Sequence, residues 1–335
     1  MKIAIVKLSA MGDIIHAMVA LQFIKKKIPD IQIDWFVEKV FAQVLEHNPD
    51  IDNIYRLDLK SIKKNKKNIF TQTKILKEYS DNNYDLVIDA QGLIKSAIVC
   101  KYLGKNIIGF NKNSTREGTA SFFYNKRIDS DYSKNVIERN IDVLCKSLDI
   151  DVSKDEVLEK EPFLYYEKEE REIYPYLRST KKNVLFIIGA SWPSKIYSKE
   201  KFAKIINNIS ENCLIAWGND AEKDIADEIA LNSSAIVLPK LDLNSLKAVV
   251  KNCDLVVGND TGPTHMAWAL NIPSITIFGC TPGHRNTYLT DINKIIESKS
   301  IVNPLKLNRE DYSINDIDEK EIISLAEGIL YEGDC

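Results

Sequence analysis

The sequence predicts an α/β protein built from two parallel sheets with helices on both faces. Short apolar runs typical of buried strands alternate with longer segments whose apolar residues recur at helical spacing. The alternation lapses once, over a charged, proline-containing stretch at 160–182, and then restarts. A chain of 335 residues is also longer than one ordinary core requires. We therefore expect two halves joined by a linker, with a cleft between them.

The elements follow in order along the chain. In the first half the predicted strands are 2–7, 33–37, 55–57, 86–89 and 106–109, and the predicted helices are 12–27, 41–46, 70–82, 93–102 and 136–148. In the second half the strands are 184–188, 213–216, 235–238, 255–257 and 274–278, and the helices are 199–210, 221–231, 243–252 and 266–270. A final amphipathic helix at 316–331 is expected to cross back onto the first half. The predicted domains are 1–160 and 183–315, with a linker at 161–182 and a C-terminal segment at 316–335.

The composition is that of a soluble globular protein, with 44% apolar residues, 28% charged residues and a net charge of −3. This balance gives no indication of nucleic acid binding. No run approaches the ~18 apolar residues of a membrane span, and the first residues lack a signal peptide pattern. The widely spaced cysteines form no C-x-x-C pair, so we expect Cys100, Cys213, Cys253 and Cys280 to be reduced core residues. The predicted compartment is the cytoplasm.

The stretch Gly258–His265 is the segment richest in groups that bind ligands. It reads Gly-Asn-Asp-Thr-Gly-Pro-Thr-His and links a predicted strand to a predicted helix. Ligands bind at the carboxyl ends of strands in open α/β sheets, and the free N–H groups of a helix start favour a phosphate. A single histidine is usually structural, but the neighbours Asp260 and Thr261 favour a ligand role for His265. We therefore predict that a phosphorylated ligand binds here.

The turn Lys7–Asp13, directly after the first strand, is a second candidate. Asp13 lies at the start of a helix, where the dipole and backbone N–H groups stabilise a carboxylate. It is either a helix cap or a general base at the edge of the cleft. The turn has one glycine where a dinucleotide fingerprint needs three, which argues against a dehydrogenase.

Two further turns of the second half carry polar groups at strand ends. Gly189–Lys195 combines small residues with a lysine, which suits a phosphate, although the P-loop pattern is absent. Trp217 to Asp220, followed by Glu222, comes after the next strand. An acid there either binds a ribose or base edge or is an ordinary first-turn helix acid.

Basic and amide groups of the first half suit a sugar or an acidic ligand. In the turn Asp89–Ser96, Gln91 and Lys95 can bond hydroxyls or a carboxylate, although loops of this composition are common. Arg116 lies in a loop beside Glu117, where a solvated charge pair is the ordinary expectation.

A lysine cluster at 60–68 contains no acid. Its five lysines are Lys60, Lys63, Lys64, Lys66 and Lys67. The cluster is either a solvated mobile loop or a contact with an anionic membrane surface or a phosphorylated acceptor. Near such a surface each lysine adds ~1 kcal/mol.

Together these segments resemble the lipopolysaccharide heptosyltransferases of glycosyltransferase family 9, and the type I enzymes most closely. The matching segments are Lys7 to Asp13, 34–38, 84–96, Arg116-Glu117, 121–125, Trp217-Gly218 and Asn259 to His265. Their order and spacing cover nearly the whole chain, and the segment 89–96 separates type I from type II enzymes. The resemblance implies a GT-B fold, in which two Rossmann-like domains face each other across a cleft.

The resemblance also implies an activity. The donor would be ADP-L-glycero-β-D-manno-heptose, and the acceptor would be the inner Kdo of Kdo2-lipid A at the cytoplasmic face of the inner membrane. Asp13 would be the general base of an inverting transfer, and Lys195 would stabilise the departing ADP. The transfer needs no cofactor and no metal.

The resemblance assigns binding residues to both substrates. The donor set is Ser191, Lys195, Trp217, Glu222, Asp260, Thr261, Gly262, Thr264 and His265. The acceptor set is Gln91, Lys95 and Arg116, with the lysine cluster Lys60, Lys63, Lys64, Lys66 and Lys67. The chain departs from the family pattern at Pro263, which lacks an N–H, and at Ile196-Tyr197-Ser198, where an aromatic-Pro pair is usual. The competing activities are transfer of a second heptose or of another inner-core sugar, and a nucleotide-sugar 2-epimerase.

Overall fold

The computed structural model describes residues 1–167 and 173–331. The chain divides into two compact units, Met1–Tyr165 and the part that begins at Tyr166. Residues 168–172 of the predicted linker, and residues 332–335 of the predicted C-terminal segment, lie outside the described residues.

The first unit contains, within residues 1–167, a six-stranded parallel sheet. Its strands are β1 (Lys2–Val6), β2 (Gln32–Glu38), β3 (Asn53–Leu57), β4 (Leu86–Asp89), β5 (Ile107–Phe110) and β6 (Lys126–Ile128). Its helices are α1 (Met11–Lys27), α2 (Ser61–Lys64), α3 (Asn68–Ser80), α4 (Ile94–Leu103), α5 (Val136–Cys145) and α6 (Lys154–Leu158). The strand order β3-β2-β1-β4-β5-β6 reverses between β1 and β4. A doubly wound sheet binds ligands at the carboxyl ends of the strands where its order reverses.

The second unit repeats this design within its described residues. Its strands are β7 (Asn183–Ile187), β8 (Asn212–Ala216), β9 (Ile236–Val237), β10 (Leu255–Asn259), β11 (Ser274–Phe278) and β12 (Asn293–Glu297). Its helices are α7 (Lys199–Asn208), α8 (Asp220–Leu231), α9 (Leu243–Lys251), α10 (Gly262–Ala269), α11 (Gly283–Asn286) and α12 (Glu319–Tyr331). The order β12-β11-β10-β7-β8-β9 places the reversal between β7 and β10.

The burial of each strand explains whether it could be predicted from the sequence. The strands β4 and β11 are buried at every position and were predicted with the observed bounds. The edge strand β6 exposes Lys126 and Arg127, and β12 is only partly buried, so neither produces an apolar run and neither was predicted. The helix predicted at 41–46 is a 3-10 helix at Lys39–Val44.

The last helix differs from its predicted placement. It begins at Glu319, and its residues Ile322, Ala326 and Leu330 lie in the hydrophobic core of the second unit. We expected this helix to cross back onto the first half. Amphipathic spacing identifies the face that a helix buries but not the partner that covers it, so the placement followed only from the structure.

Helices long and apolar enough to cross a bilayer are absent from the described part of the chain. The cysteines predicted as core residues, Cys100, Cys213, Cys253 and Cys280, are all buried free thiols.

Candidate functional site

A buried ion pair lies at the reversal point of the second sheet. The Lys195 Nζ is 2.6 Å from Asp260 Oδ2, and both side chains are almost fully buried. The other carboxylate oxygen, Oδ1, lies 3.1 Å from His265 Nε2. Burial by itself would raise the pKa of Asp260, but Lys195 and His265 outweigh it and hold that pKa well below its usual range. The carboxylate is therefore fixed in its charged form.

The sequence around β10 holds this pair in place through Asn259. The Asn259 side chain accepts a hydrogen bond from Tyr197 N at 3.1 Å and donates one to Ile188 O at 2.6 Å. The turn that carries Lys195 is thus tied to the end of β10. The Thr264 hydroxyl donates to Asn259 O at 2.7 Å, which ties the first turn of α10 to the same strand.

The start of α10 provides the anion-binding groups predicted for this turn. Gly262 is the first helical residue and Thr261 precedes it. The N–H groups of Gly262 and Thr264 belong to the first turn, where no helical carbonyl accepts them, whereas Pro263 has no N–H. Two backbone donors and the positive end of the helix dipole therefore point out of this turn. His265 is buried behind Asp260, so it is placed to orient that carboxylate.

Glu222 lies against the end of β7, at the place predicted for a nucleoside. Its Oε2 accepts a hydrogen bond from Gly218 N at 2.7 Å. The carboxylate lies so close to Gly189 that a Cβ at that position would come within 2.4 Å of it. A glycine at 189 is thus what allows the acid to reach the sheet edge.

The other predicted donor residues have more varied surroundings. The Trp217 indole N–H donates to Leu238 O at 2.8 Å, and the ammonium groups of Lys223 and Lys240 each lie 5.8 Å from the centre of its ring. Ser191 is exposed, in the turn just before the 3-10 helix Pro193–Lys195.

At the reversal point of the first sheet, Asp13 is half-buried in the first turn of α1. Its Oδ2 accepts a hydrogen bond from Ala10 N at 3.1 Å, so it does cap the helix. One cap contact leaves the second carboxylate oxygen for a substrate hydroxyl. The alternatives of helix cap and general base are therefore compatible.

Lys7, in the same turn as this acid, has a structural role. Its Nζ donates to Ala90 O at 2.8 Å and to Asn140 Oδ1 at 3.1 Å. Burial lowers its pKa, and the carboxylates of Asp13 and Asp89 oppose this effect without cancelling it. Lys7 thereby links the end of β1 to the turn after β4 and to α5.

The turn after β4 is held by polar contacts that sequence reasoning did not assign. Asp89 Oδ1 accepts hydrogen bonds from the N–H groups of Gln91 and Gly92, each at 2.9 Å. Its Oδ2 accepts them from Ser96 Oγ at 2.9 Å and Tyr124 Oη at 2.8 Å. Gly92 has a φ of +69°, a left-handed conformation that glycine adopts without strain.

The predicted acceptor residues comprise one glutamine that supports a neighbouring loop and several exposed cations. The Gln91 Oε1 accepts hydrogen bonds from Leu8 N and Ser9 N, both at 3.0 Å, so it supports the loop that carries Asp13. Lys95 is exposed, and its Nζ lies 3.4 Å from Ser9 Oγ. The other members are exposed on the surface of the first unit: Arg116, Lys60, Lys63, Lys64, Lys66 and Lys67.

Sequence reasoning missed two partners of Asp260. Thr281 Oγ1 donates to Asp260 Oδ2 at 2.7 Å, and Asn286 Nδ2 lies 3.4 Å from the same oxygen. Both residues follow β11, the strand next to β10, so the rule that strand ends share one edge would have indicated them.

This fold, with two parallel sheets and polar groups at both reversal points, is that of a GT-B type glycosyltransferase. The sequence profile described as "Glycosyltransferase family 9 (heptosyltransferase)" matches residues 72–311. The chain belongs to that family and is a heptosyltransferase. The fold and family predicted from the sequence are therefore confirmed.

Individual relatives agree with this assignment. A lipopolysaccharide heptosyltransferase 1 of Campylobacter coli is 42% identical, over 98% of this chain and 99% of the relative. The Escherichia coli heptosyltransferase WaaC, solved with ADP-2-deoxy-2-fluoro heptose, is 25% identical with a TM-score of 0.77, over 98% of this chain and 99% of that chain. A UDP-GlcNAc 2-epimerase of Neisseria meningitidis has a TM-score of 0.54 at 11% identity, over 100% of this chain and 93% of that chain, which shows a shared fold only.

Proposed function

We propose that the enzyme transfers L-glycero-D-manno-heptose from ADP-heptose to the inner Kdo of Kdo2-lipid A, with inversion at the anomeric carbon. The observation that carries the proposal is the Lys195–Asp260 pair beside the start of α10, a site suited to the phosphates of a nucleotide sugar. A lipopolysaccharide heptosyltransferase 1 resembles the chain over 98% of its length, and the similar heptosyltransferase WaaC was solved with ADP-2-deoxy-2-fluoro heptose.

In this mechanism Asp13 accepts the proton of the acceptor hydroxyl. The hydroxyl oxygen forms the new glycosidic bond while the bond from the anomeric carbon to the phosphate oxygen breaks, and ADP leaves with the electron pair. A general base must come within about 2.6–3.2 Å of the hydroxyl oxygen. The half-buried position of Asp13, with one oxygen occupied by Ala10 N, suits this role.

The second sheet edge supports the donor. Lys195 and the N–H groups of Gly262 and Thr264 stabilise the charge that grows on the departing ADP. Asp260, oriented by His265, supports donor binding by holding Lys195 in place, and Thr261 and Ser191 offer hydroxyls to the phosphate or the donor sugar. Glu222 accepts ribose hydroxyls at the end of β7, and the ring of Trp217 packs beside the adenosine.

The acceptor is anionic and embedded in a membrane, which gives the exposed cations of the first unit a role. Gln91, Lys95 and Arg116 face the Kdo carboxylates and hydroxyls in this proposal. The lysine cluster meets the anionic surface of the inner membrane, so the enzyme acts as a peripheral protein on its cytoplasmic face. Attraction of this kind weakens with ionic strength.

The direct test is incubation of the purified protein with ADP-heptose and Kdo2-lipid A. We expect a mass increase of one heptose on the acceptor together with ADP release. An already heptosylated acceptor is the control, and transfer to it alone would instead indicate a later heptosyltransferase. Release of ADP without modification of Kdo2-lipid A would contradict the proposed acceptor.

The membrane contact has its own test with a matched control. Lys63 and Lys64 lie in the last turn of α2, and Lys26 and Lys27 lie in the last turn of α1. Lys63→Gln/Lys64→Gln should reduce cosedimentation with vesicles of anionic phospholipid by about 10-fold or more, at ~1 kcal/mol per lysine. Lys26→Gln/Lys27→Gln makes the same charge change elsewhere and should have little effect. Equal losses for the two variants would rule out a specific role of the cluster.

A further inference from the structure

The donor site contains a cation whose charge is already balanced. Lys195 forms its ion pair with Asp260 at 2.6 Å, and the pair is buried. A charged lysine and a charged aspartate sum to zero, whereas the diphosphate of a nucleotide sugar carries two negative charges. The pair can orient a diphosphate but adds no net charge to offset it, so a further cation at this edge would strengthen binding.

Trp192 carries such a cation on the same ring that Lys195 contacts. The Lys195 Nζ lies 5.0 Å from the centre of the indole ring, and the Arg309 Cζ lies 4.6 Å from the same centre. The ring is fixed by its own N–H, which donates to Cys280 Sγ at 3.3 Å at the end of β11. One aromatic side chain therefore holds two cations at the edge of the sheet.

The backbone around Arg309 is anchored to the same edge. Ser298 N donates to Phe278 O at 2.9 Å, which ties the start of the segment to the end of β11. Asp311 accepts hydrogen bonds from Ser300 Oγ at 2.5 Å and from Ser313 N at 3.0 Å. These contacts on either side of Arg309 hold its turn close to Trp192.

We propose that Arg309 binds the diphosphate of the donor, and that Trp192 is the positioning residue that holds its guanidinium there. An arginine that stacks on an aromatic ring uses the face of its guanidinium, which leaves the N–H groups in the plane available for phosphate oxygens. Arg309 is exposed, so a ligand can reach it. This inference rests on the proposed function, because it names a further residue of that donor site.

The test compares Arg309→Gln with Lys306→Gln, an exposed cation of the same segment. Calorimetry would measure ADP affinity, and competition would measure adenosine affinity. We expect Arg309→Gln to weaken ADP about 10- to 100-fold, the range for charge-assisted hydrogen bonds, and to leave adenosine unchanged. Its ADP affinity should also depend less on salt than that of the wild type. Lys306→Gln should change ADP affinity less than about two-fold.

Two results would contradict the role of Arg309 while leaving the proposed function intact. In the first, wild-type protein binds ADP and transfers heptose, but Arg309→Gln behaves like Lys306→Gln. In the second, Arg309→Gln loses adenosine and ADP equally, which would indicate damage to the turn. If the wild type fails to bind ADP, the proposed function fails together with the inference.

Discussion

The two sheet edges share one topology but use a buried lysine in opposite ways. Lys7 and Lys195 are 7% and 8% exposed. Lys7 meets a carbonyl and an amide oxygen, and burial lowers its pKa. Lys195 meets a carboxylate at 2.6 Å. The first lysine thus links framework elements, whereas the second pairs with an acid two residues before the start of α10.

In the proposed function, this difference lets one fold serve two substrates. At the first edge the group left for chemistry is an acid, Asp13, and the available cations lie outside on exposed lysines and Arg116. At the second edge the acid, Asp260, is buried and occupied by Lys195 and His265, and the proposal has the cations of this edge bind the donor. The proposal therefore places a proton acceptor and an anion site at equivalent positions of two similar sheets.

The largest effect is expected from Asp13→Asn, which tests the general-base role at the first sheet edge. The asparagine oxygen still accepts from Ala10 N, but the amide cannot take a proton. We expect kcat to fall about 10²- to 10⁴-fold, the usual contribution of a general base, with ADP affinity within about two-fold of wild type. Steady-state kinetics and calorimetry make the measurement. If kcat and ADP affinity fell by the same factor, Asp13 would not be the general base.

At the second edge the corresponding variant is Lys195→Met. It leaves Asp260 charged and buried, which should cost about 3–5 kcal/mol of unfolding free energy. Urea unfolding followed by tryptophan fluorescence suits this test, because Trp192, Trp217 and Trp268 lie in the second unit.

The double variant Lys195→Met/Asp260→Asn is the control for that prediction. Because it removes both charges, it should recover much of the lost stability while ADP binding stays weak. If the double variant is no more stable than Lys195→Met, the pair does not carry the stability of this edge.

A smaller effect is expected from Asp89→Asn in the first unit. Asp89 accepts from two N–H groups and two hydroxyls, so an amide nitrogen would face donors. We expect a loss of about 1–3 kcal/mol, the cost of an unsatisfied buried group. Thermal unfolding of this variant and of Ser96→Ala, which removes one donor to Asp89 and the acceptor of Leu93 N–H, provides the comparison. An unchanged melting temperature for Asp89→Asn would show that the turn is held by other contacts.

The sequence predicts the polar turns of the candidate site but not the contacts within them. The buried strands β1, β4, β7 and β10 follow from apolar runs, and the polar turns after them follow from the rule on strand ends. No pattern in the sequence shows that Gln91 supports the Leu8–Ser9 backbone or that Asp260 pairs with Lys195, residues 65 positions away. Such contacts depend on how neighbouring strands are ordered in the sheet.

The position of Arg309 is another feature that the sequence does not predict, and its partner Trp192 is even more distant along the chain. It lies in an irregular segment without apolar periodicity, so local patterns give it no role. Its position is set by Ser298 and Asp311, whose hydrogen bonds fold the segment against the end of β11. The aromatic partner, Trp192, lies within the turn Gly189–Lys195, whose small residues and lysine predict a phosphate site.

The least pronounced expected difference is in the response to acid. The folded-state pKa of Asp260 is lowered, so its contribution to stability is present above the unfolded pKa of about 3.9 and is lost as pH falls below it. The stability difference between wild type and Lys195→Met/Asp260→Asn should therefore narrow as pH decreases from about 5 to 3. Urea unfolding at both pH values measures this. A constant difference would mean that folding does not lower the pKa of Asp260, and the contrast between the two lysines would lose its electrostatic basis.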